Sequence, residues 1–206
     1  LEQMAAQERY DLGMSYYKEG EFDEAIKAWS SIRRDDDLQS YADAQVNLGN
    51  LYDFQENQEK AEETHQKAIE AYQEVPKSDR QAYSWAQYKL GALYNSLEQQ
   101  NKAKNVWRKI RRNDNSEAYA WAQLELGALY DLLEQQGKAK SAWEKIRRDD
   151  NPEAYADAHV KLGHLYDIQK QQDEAKNAWK EAIKTYREIL KDMRGHFTNS
   201  VTNITS

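Results

Sequence analysis

Residues 119–154 read YAWAQLELGALYDLLEQQGKAKSAWEKIRRDDNPEA. The glycine of the LGALY core, Gly127, has counterparts at Gly13, Gly49, Gly91 and Gly163, at successive spacings of 36, 42, 36 and 36 residues. A fixed period of this size is the signature of a stacked repeat array. The chain therefore reads as five repeats, with six extra residues between the second and the third.

Each repeat carries two apolar stripes. In the first half Ala122, Leu126, Leu129, Tyr130 and Leu133 fall at i, i+4, i+7, i+8 and i+11, which is one face of a helix. In the second half Ala139, Ala142, Trp143 and Ile146 form another. Either stripe alone is too narrow to bury itself. Facing each other they make a helical hairpin that only the next hairpin closes, so one unit is not stable alone. Tyr130 recurs as Tyr16, Tyr52, Tyr94 and Tyr166, and Trp143 as Trp29, Trp107 and Trp179, with His65 in the remaining place. Glycine inside a helix costs about 1 kcal/mol relative to alanine. Its recurrence beside a large aromatic points to close helix packing.

Leu126-Gly127, Tyr130, Ala139 and the aromatic at Trp143, five times in register over roughly residues 5 to 190, resemble the tetratricopeptide repeat. The resemblance implies an all-α, right-handed superhelical solenoid of about five helical hairpins that binds peptides or helices in a concave groove. Departures are visible. The tryptophan the family often places near the start of the first helix is Arg9, Gln45, Gln87, Gln123 and His159. Only the first repeat keeps the family's turn glycine, as Gly20. The repeats fall at about 5–34, 38–76, 80–114, 116–150 and 152–193, in a single array over 1–194 followed by a polar tail over 195–206. Asp37, Asn115 and Asn151 are expected N-caps, with Pro152 in a first helical turn. Pro76 is expected to end a long second helix ahead of an irregular PKSDRQ stretch. Gly195 is expected to end the last helix, and Gly137 to lie in a turn.

Composition narrows the function. Hydrophobic residues make up 39% of the 206, thin for one compact core and suited to an array with much exposed surface. The net charge of −7 argues against a sequence-independent hold on nucleic acid, which needs a basic surface. No apolar run approaches the ~20 residues that span a bilayer. There is no cysteine, hence no disulfide framework or thiolate metal site. No signal peptide is visible, but a chain that starts at Leu1 rather than Met gives that little meaning. A cytoplasmic setting is the expectation, although cysteine usage does not separate cytosol from periplasm.

No catalytic constellation assembles, so no catalytic residue, cofactor or metal is assigned. His65 fills the aromatic slot, His159 and His164 are five apart and poorly placed to share a metal, and His196 lies in the tail. There is no phosphate-binding glycine loop and no nucleophile motif. The basic pairs Arg33-Arg34, Arg111-Arg112 and Arg147-Arg148 close helices, where cations favour the dipole, and aspartates follow, so local electrostatics explain them better than an anionic partner does. Asn203-Ile204-Thr205 matches a glycosylation acceptor, a triplet common by chance.

The other stripe of each first helix is the candidate partner-binding face, because in the family it lines the concave groove. It comprises Gln7, Tyr10, Met14 and Tyr17 in the first repeat, then Asp43, Val46, Asn50 and Asp53, then Trp85, Tyr88, Ala92 and Asn95. The fourth contributes Trp121, Leu124, Ala128 and Asp131, and the fifth Asp157, Val160, His164 and Asp167. Trp85 and Trp121 beside small alanines suit a hot spot; the competing reading packs them between repeats. The family's carboxylate clamp uses lysine, arginine and asparagine here, whereas this stripe carries aspartates, which disfavours a chaperone-tail adaptor. The reading is a non-enzymatic protein–protein scaffold. Its partner is expected to be a protein or peptide with basic residues flanking apolar anchors. A regulatory domain of a larger protein, or a self-assembly module, is the alternative.

Overall fold

The backbone breaks where capping side chains sit. Asp37 accepts a hydrogen bond from the Ser40 amide at 2.6 Å, Asn115 from Ala118 at 2.9 Å and Asn151 from Ala154 at 2.8 Å, each opening a first helix. Asp79, inside the PKSDRQ stretch, does the same for Ala82 at 3.0 Å. The computed structural model describes the backbone of residues 4–204 and the side chains of residues 4–195. Among them are ten α-helices and no strand.

Residues up to Val106 form one compact unit and residues from Trp107 another. The first unit pairs α1 (Ala6–Glu19) with α2 (Phe22–Ser30) and α3 (Leu38–Phe54) with α4 (Gln58–Glu74), and adds α5 (Arg80–Ser96) and all of α6 (Gln100–Trp107) but its last residue. Its core joins Ala25, Trp29 and Ile32 of one hairpin to Ala44, Leu48 and Leu51 of the next. The second unit pairs α7 (Ser116–Leu132) with α8 (Gln136–Glu144) and α9 (Pro152–Ile168) with α10 (Gln172–Ile204), burying Leu126, Leu129, Trp143, Ile146 and Leu162. α4 stops at Glu74, and Val75, ahead of Pro76, turns to an extended conformation as a pre-proline residue should.

The repeated glycine seats the aromatic of the second helix. A Cβ added at Gly13 would overlap the Trp29 indole, and one at Gly127 or Gly163 the indole of Trp143 or Trp179. At Gly49 it would overlap the His65 imidazole. This approach lets Trp29 Nε1 donate to the Tyr10 carbonyl and Trp143 Nε1 to the Leu124 carbonyl, both at 3.2 Å. Each accepting residue lies three positions before its glycine, where the missing side chain leaves the carbonyl's second lone pair open.

Two expectations are corrected. Gly195 does not end α10, which continues to Ile204; Gly195 avoids the left-handed conformation, and a lone helical glycine costs too little to break a helix. Gly137 lies in the first turn of α8, not in the inter-helix turn. The left-handed turn residue of that hairpin is Glu134, with φ 58°. His196 and the Asn203-Ile204-Thr205 triplet fall outside the described side chains.

The arginine pairs divide the work. The first member binds its own loop, as in Arg33–Asp36 at 3.3 Å and Arg111–Asp114 at 3.1 Å. The second reaches the following repeat: Arg34 to Glu74, Arg112 to Asp150 at 2.8 Å and Arg148 to Glu188. Arg9 is buried, donating to the Ser31 carbonyl and to Asp36.

Candidate partner-binding groove

In the first unit the stripe residues of α1, α3 and α5 meet at a cavity of about 340 Å³. Six sequence-derived stripe residues line it: Tyr10, Asp43, Val46, Asn50, Tyr88 and Ala92. Leu93 adds to its apolar part, and Asn47, Tyr72 and Lys89 to its polar part. Trp85 packs edge-on to Tyr88, with ring centroids 5.7 Å apart. Asp53 and Asn95 stand outside the cavity.

The polar wall is internally ordered. Asn47 Nδ2 donates to the Tyr10 hydroxyl at 3.1 Å and contacts Met14 Sδ at 3.3 Å, tying α3 to α1. Asp43 accepts from the Tyr72 hydroxyl and pairs with Lys89. Burial, reinforced by the Asp43 charge, pushes the Tyr72 phenol well above its ordinary pKa. Burial raises Tyr10 too, against the lowering effect of Asn47. Both phenols are therefore neutral hydrogen-bonding groups at neutral pH. His65 Nε2 lies 3.1 Å from Asn50 Oδ1, which holds that carboxamide at the cavity edge.

This arrangement changes the role given to Asp43. A charge that already holds a lysine and a phenol is a poor steering charge for a basic partner. Asp157 in the second unit repeats the device by accepting from the Tyr186 hydroxyl. Asp43 and Asp157 belong to the two hairpins with long second helices, which alone reach far enough to supply the tyrosine. Where the second helix is short, as in α6 and α8, the same position holds Trp85 or Trp121.

The other second-unit candidates have separate surroundings. Trp121 is half-buried. Leu124 is buried, and its carbonyl receives the Trp143 indole. His164 is exposed and packs edge-on to Trp179, 5.8 Å between centroids. Asp167 accepts from Gln172 across the turn at 2.9 Å, and Asp131 is exposed.

Asn47 and Tyr72 escaped sequence reasoning. Asn47 lies one residue off the stripe spacing, and Tyr72 comes from the second helix, whereas Lys89 stands directly beside the stripe and pairs with its Asp43. The available signal was pairing: an aspartate six residues before the glycine occurs with a tyrosine 23 residues after it, as Asp43 with Tyr72 and Asp157 with Tyr186.

Among the described residues no group of three or more His, Cys, Asp or Glu could hold a metal ion, and no helix is long and apolar enough to cross a membrane.

Among curated proteins none matches the chain in sequence. Solved structures do match in fold. The crystal structure of MamA is 23% identical with a TM-score of 0.55, covering 87% of this chain and 97% of its own. BtubC (BKLC) from P. vanneervenii is 19% identical at a TM-score of 0.65, covering 86% of this chain and 78% of its own. A Podosopora anserina protein of nearly identical TPR-like repeats is 16% identical at a TM-score of 0.61, covering 91% of this chain and 98% of its own. Tetratricopeptide repeat profiles match residues 3–74, 40–106 and 156–190. The chain belongs to the tetratricopeptide repeat family, and its fold is that family's protein-interaction scaffold.

Proposed function

We propose that the chain is a non-enzymatic scaffold that holds a segment of a partner protein against the first-helix stripes, with the first unit's cavity as its anchor pocket. The observation that carries this reading is the convergence of Tyr10, Val46, Tyr88 and Ala92 on one cavity whose polar groups are already ordered. A preformed apolar pocket with a few fixed polar groups is the usual form of a ligand anchor site. Its side-chain order is settled before binding, so little conformational entropy is lost on association. The partner contributes one or two apolar or aromatic side chains to the pocket. Its backbone meets Asn47, Asn50 and the phenols. Basic residues in the partner answer the exposed Asp53 of α3 rather than Asp43, which already pairs with Lys89.

A random peptide library displayed on phage tests this directly. Ala92 is exposed at the cavity, so Ala92→Trp fills it without disturbing the core. Peptides selected on the wild-type chain are expected to share an apolar anchor and to lose at least about tenfold in affinity for Ala92→Trp, the order of a hot-spot contact. Peptides that bind both proteins equally would show that the cavity is not the site.

A further inference from the structure

A different cavity recurs on the opposite side of the first helices. Around Tyr52 in the second repeat, Tyr130 in the fourth and Tyr166 in the fifth it has volumes of about 480, 430 and 470 Å³. The frame is common: two tyrosines and a leucine, with Gln45, Gln123 or His159 between them. The charges differ. Around Tyr52 the lining charges are Arg33, Arg34, Lys60, Lys67 and Glu63, of which Arg33 pairs with Asp36, Arg34 with Glu74 and Lys67 with Glu63. Around Tyr166 three carboxylates line it, from Glu144, Glu174 and Glu181. Around Tyr130 the lining charges are Arg108, Lys138 and Lys145, with no carboxylate.

The Tyr130 cavity gathers cations in a chain of net charge −7. Arg108 donates to the Tyr130 hydroxyl and lies 5.9 Å from the ring centroid, and Lys138 lies 5.6 Å from the same centroid. Lys138 is bonded to the Gln135 carboxamide, not to an acid. The Lys145 carbonyl accepts from Arg112, which fixes the backbone that carries the third ammonium. At the mouth stands Gly137, where the first, second and fifth repeats have Asp23, Glu59 and Asp173. The ring faces offset part of the repulsion among the cations. A bound anion would offset the rest through charge-assisted hydrogen bonds. The apolar lining, from Ile110, Leu126 and Ala142, suits a hydrocarbon side chain beside that anion.

We propose that the Tyr130 cavity of the second unit binds an acidic peptide segment, holding a carboxylate among Arg108, Lys138 and Lys145 and an adjacent apolar side chain against Leu126. This surface is separate from the anchor pocket of the first unit, and the proposal does not depend on it. The test is fluorescence anisotropy of the full chain with the labelled peptide Glu-Glu-Phe-Glu-Glu, against Lys-Lys-Phe-Lys-Lys as counter-probe. Gly137→Asp restores the acid found in other repeats, at a position with open space around it. Lys145→Glu reverses one exposed cation. The acidic peptide is expected to bind, more weakly as salt rises. Each variant should weaken it about tenfold or more, and Gly137→Asp, which adds an acid to the first turn of α8, should do so with the melting temperature no lower. Tyr88→Ala in the other unit should leave it unchanged. No binding, binding to both variants as tight as to the wild type, tighter binding of the lysine peptide, or displacement of the acidic peptide by oligouridylate at lower concentration would each overturn the proposal.

Discussion

Gly127 and Trp143 show how one residue choice dictates another. The indole occupies the space a Cβ would need, so alanine at 127 must displace a ring that is almost fully buried. Gly127→Ala should cost about 1–3 kcal/mol by overpacking, whereas Gly137→Ala in the open first turn of α8 should gain up to about 1 kcal/mol in helix propensity. Urea denaturation of both variants checks this, and equal midpoints would remove close packing as the reason for the repeated glycine. His65 replaces the indole in the second repeat, and burial lowers its pKa from the ordinary 6.5 despite the nearby Asp53. The folded state thus binds the proton less readily than the unfolded one, and stability should fall as pH drops below about 6.5. His65→Gln should flatten that limb of the melting-temperature profile, and an unchanged slope would contradict the assignment. The glycine and its aromatic were legible in the sequence because both recur with the period. The neutralisation of Asp43 was not, because Tyr72 and Lys89 lie on other helices and only the fold brings them to it.

At the scale of the element, the hairpin turns share one geometry despite different residues. Glu56, Glu98, Glu134 and Lys170 adopt φ of 58–60°, and Gly20 a φ of 80°. In each the next amide bonds back five residues to a tyrosine carbonyl, as Gln135 to Tyr130 and Asn57 to Tyr52, both at 2.8 Å. This is the Schellman closure, which satisfies carbonyls that the helix end leaves open. A side chain in the left-handed region costs about 1–2 kcal/mol, and glycine recovers part of it at an entropic cost. Glu134→Gly should therefore raise stability by up to about 1 kcal/mol, read as a higher denaturation midpoint; a lower one would contradict the strain argument. The absence of turn glycines in four repeats hid these turns from a composition-based reading. The N-caps Asp37, Asn115 and Asn151 were plain because their chemistry is local. Gly195 misled because a lone glycine is a weak stop, and no cap or proline follows it to enforce one.

Across the whole molecule, repetition made the all-α class and the hairpin unit readable from the sequence alone. The repeats differ in what lines their cavities. The first-helix stripe is tyrosine, valine and asparagine around the first unit's cavity, and its exposed aspartates are Asp53, Asp131 and Asp167. The equivalent cavities on the other side carry opposite charges in the fourth and fifth repeats. A shared backbone with repeat-specific linings is how an array of this kind acquires distinct binding positions. The most direct test of the scaffold reading is an amide chemical-shift map of the chain titrated with a display-selected peptide. The account predicts the largest shifts at Tyr10, Val46, Asn47, Tyr88 and Ala92, lost in Ala92→Trp. Shifts confined to the hairpin turns or to the surroundings of Tyr130, with the first-unit cavity unmoved, would contradict it.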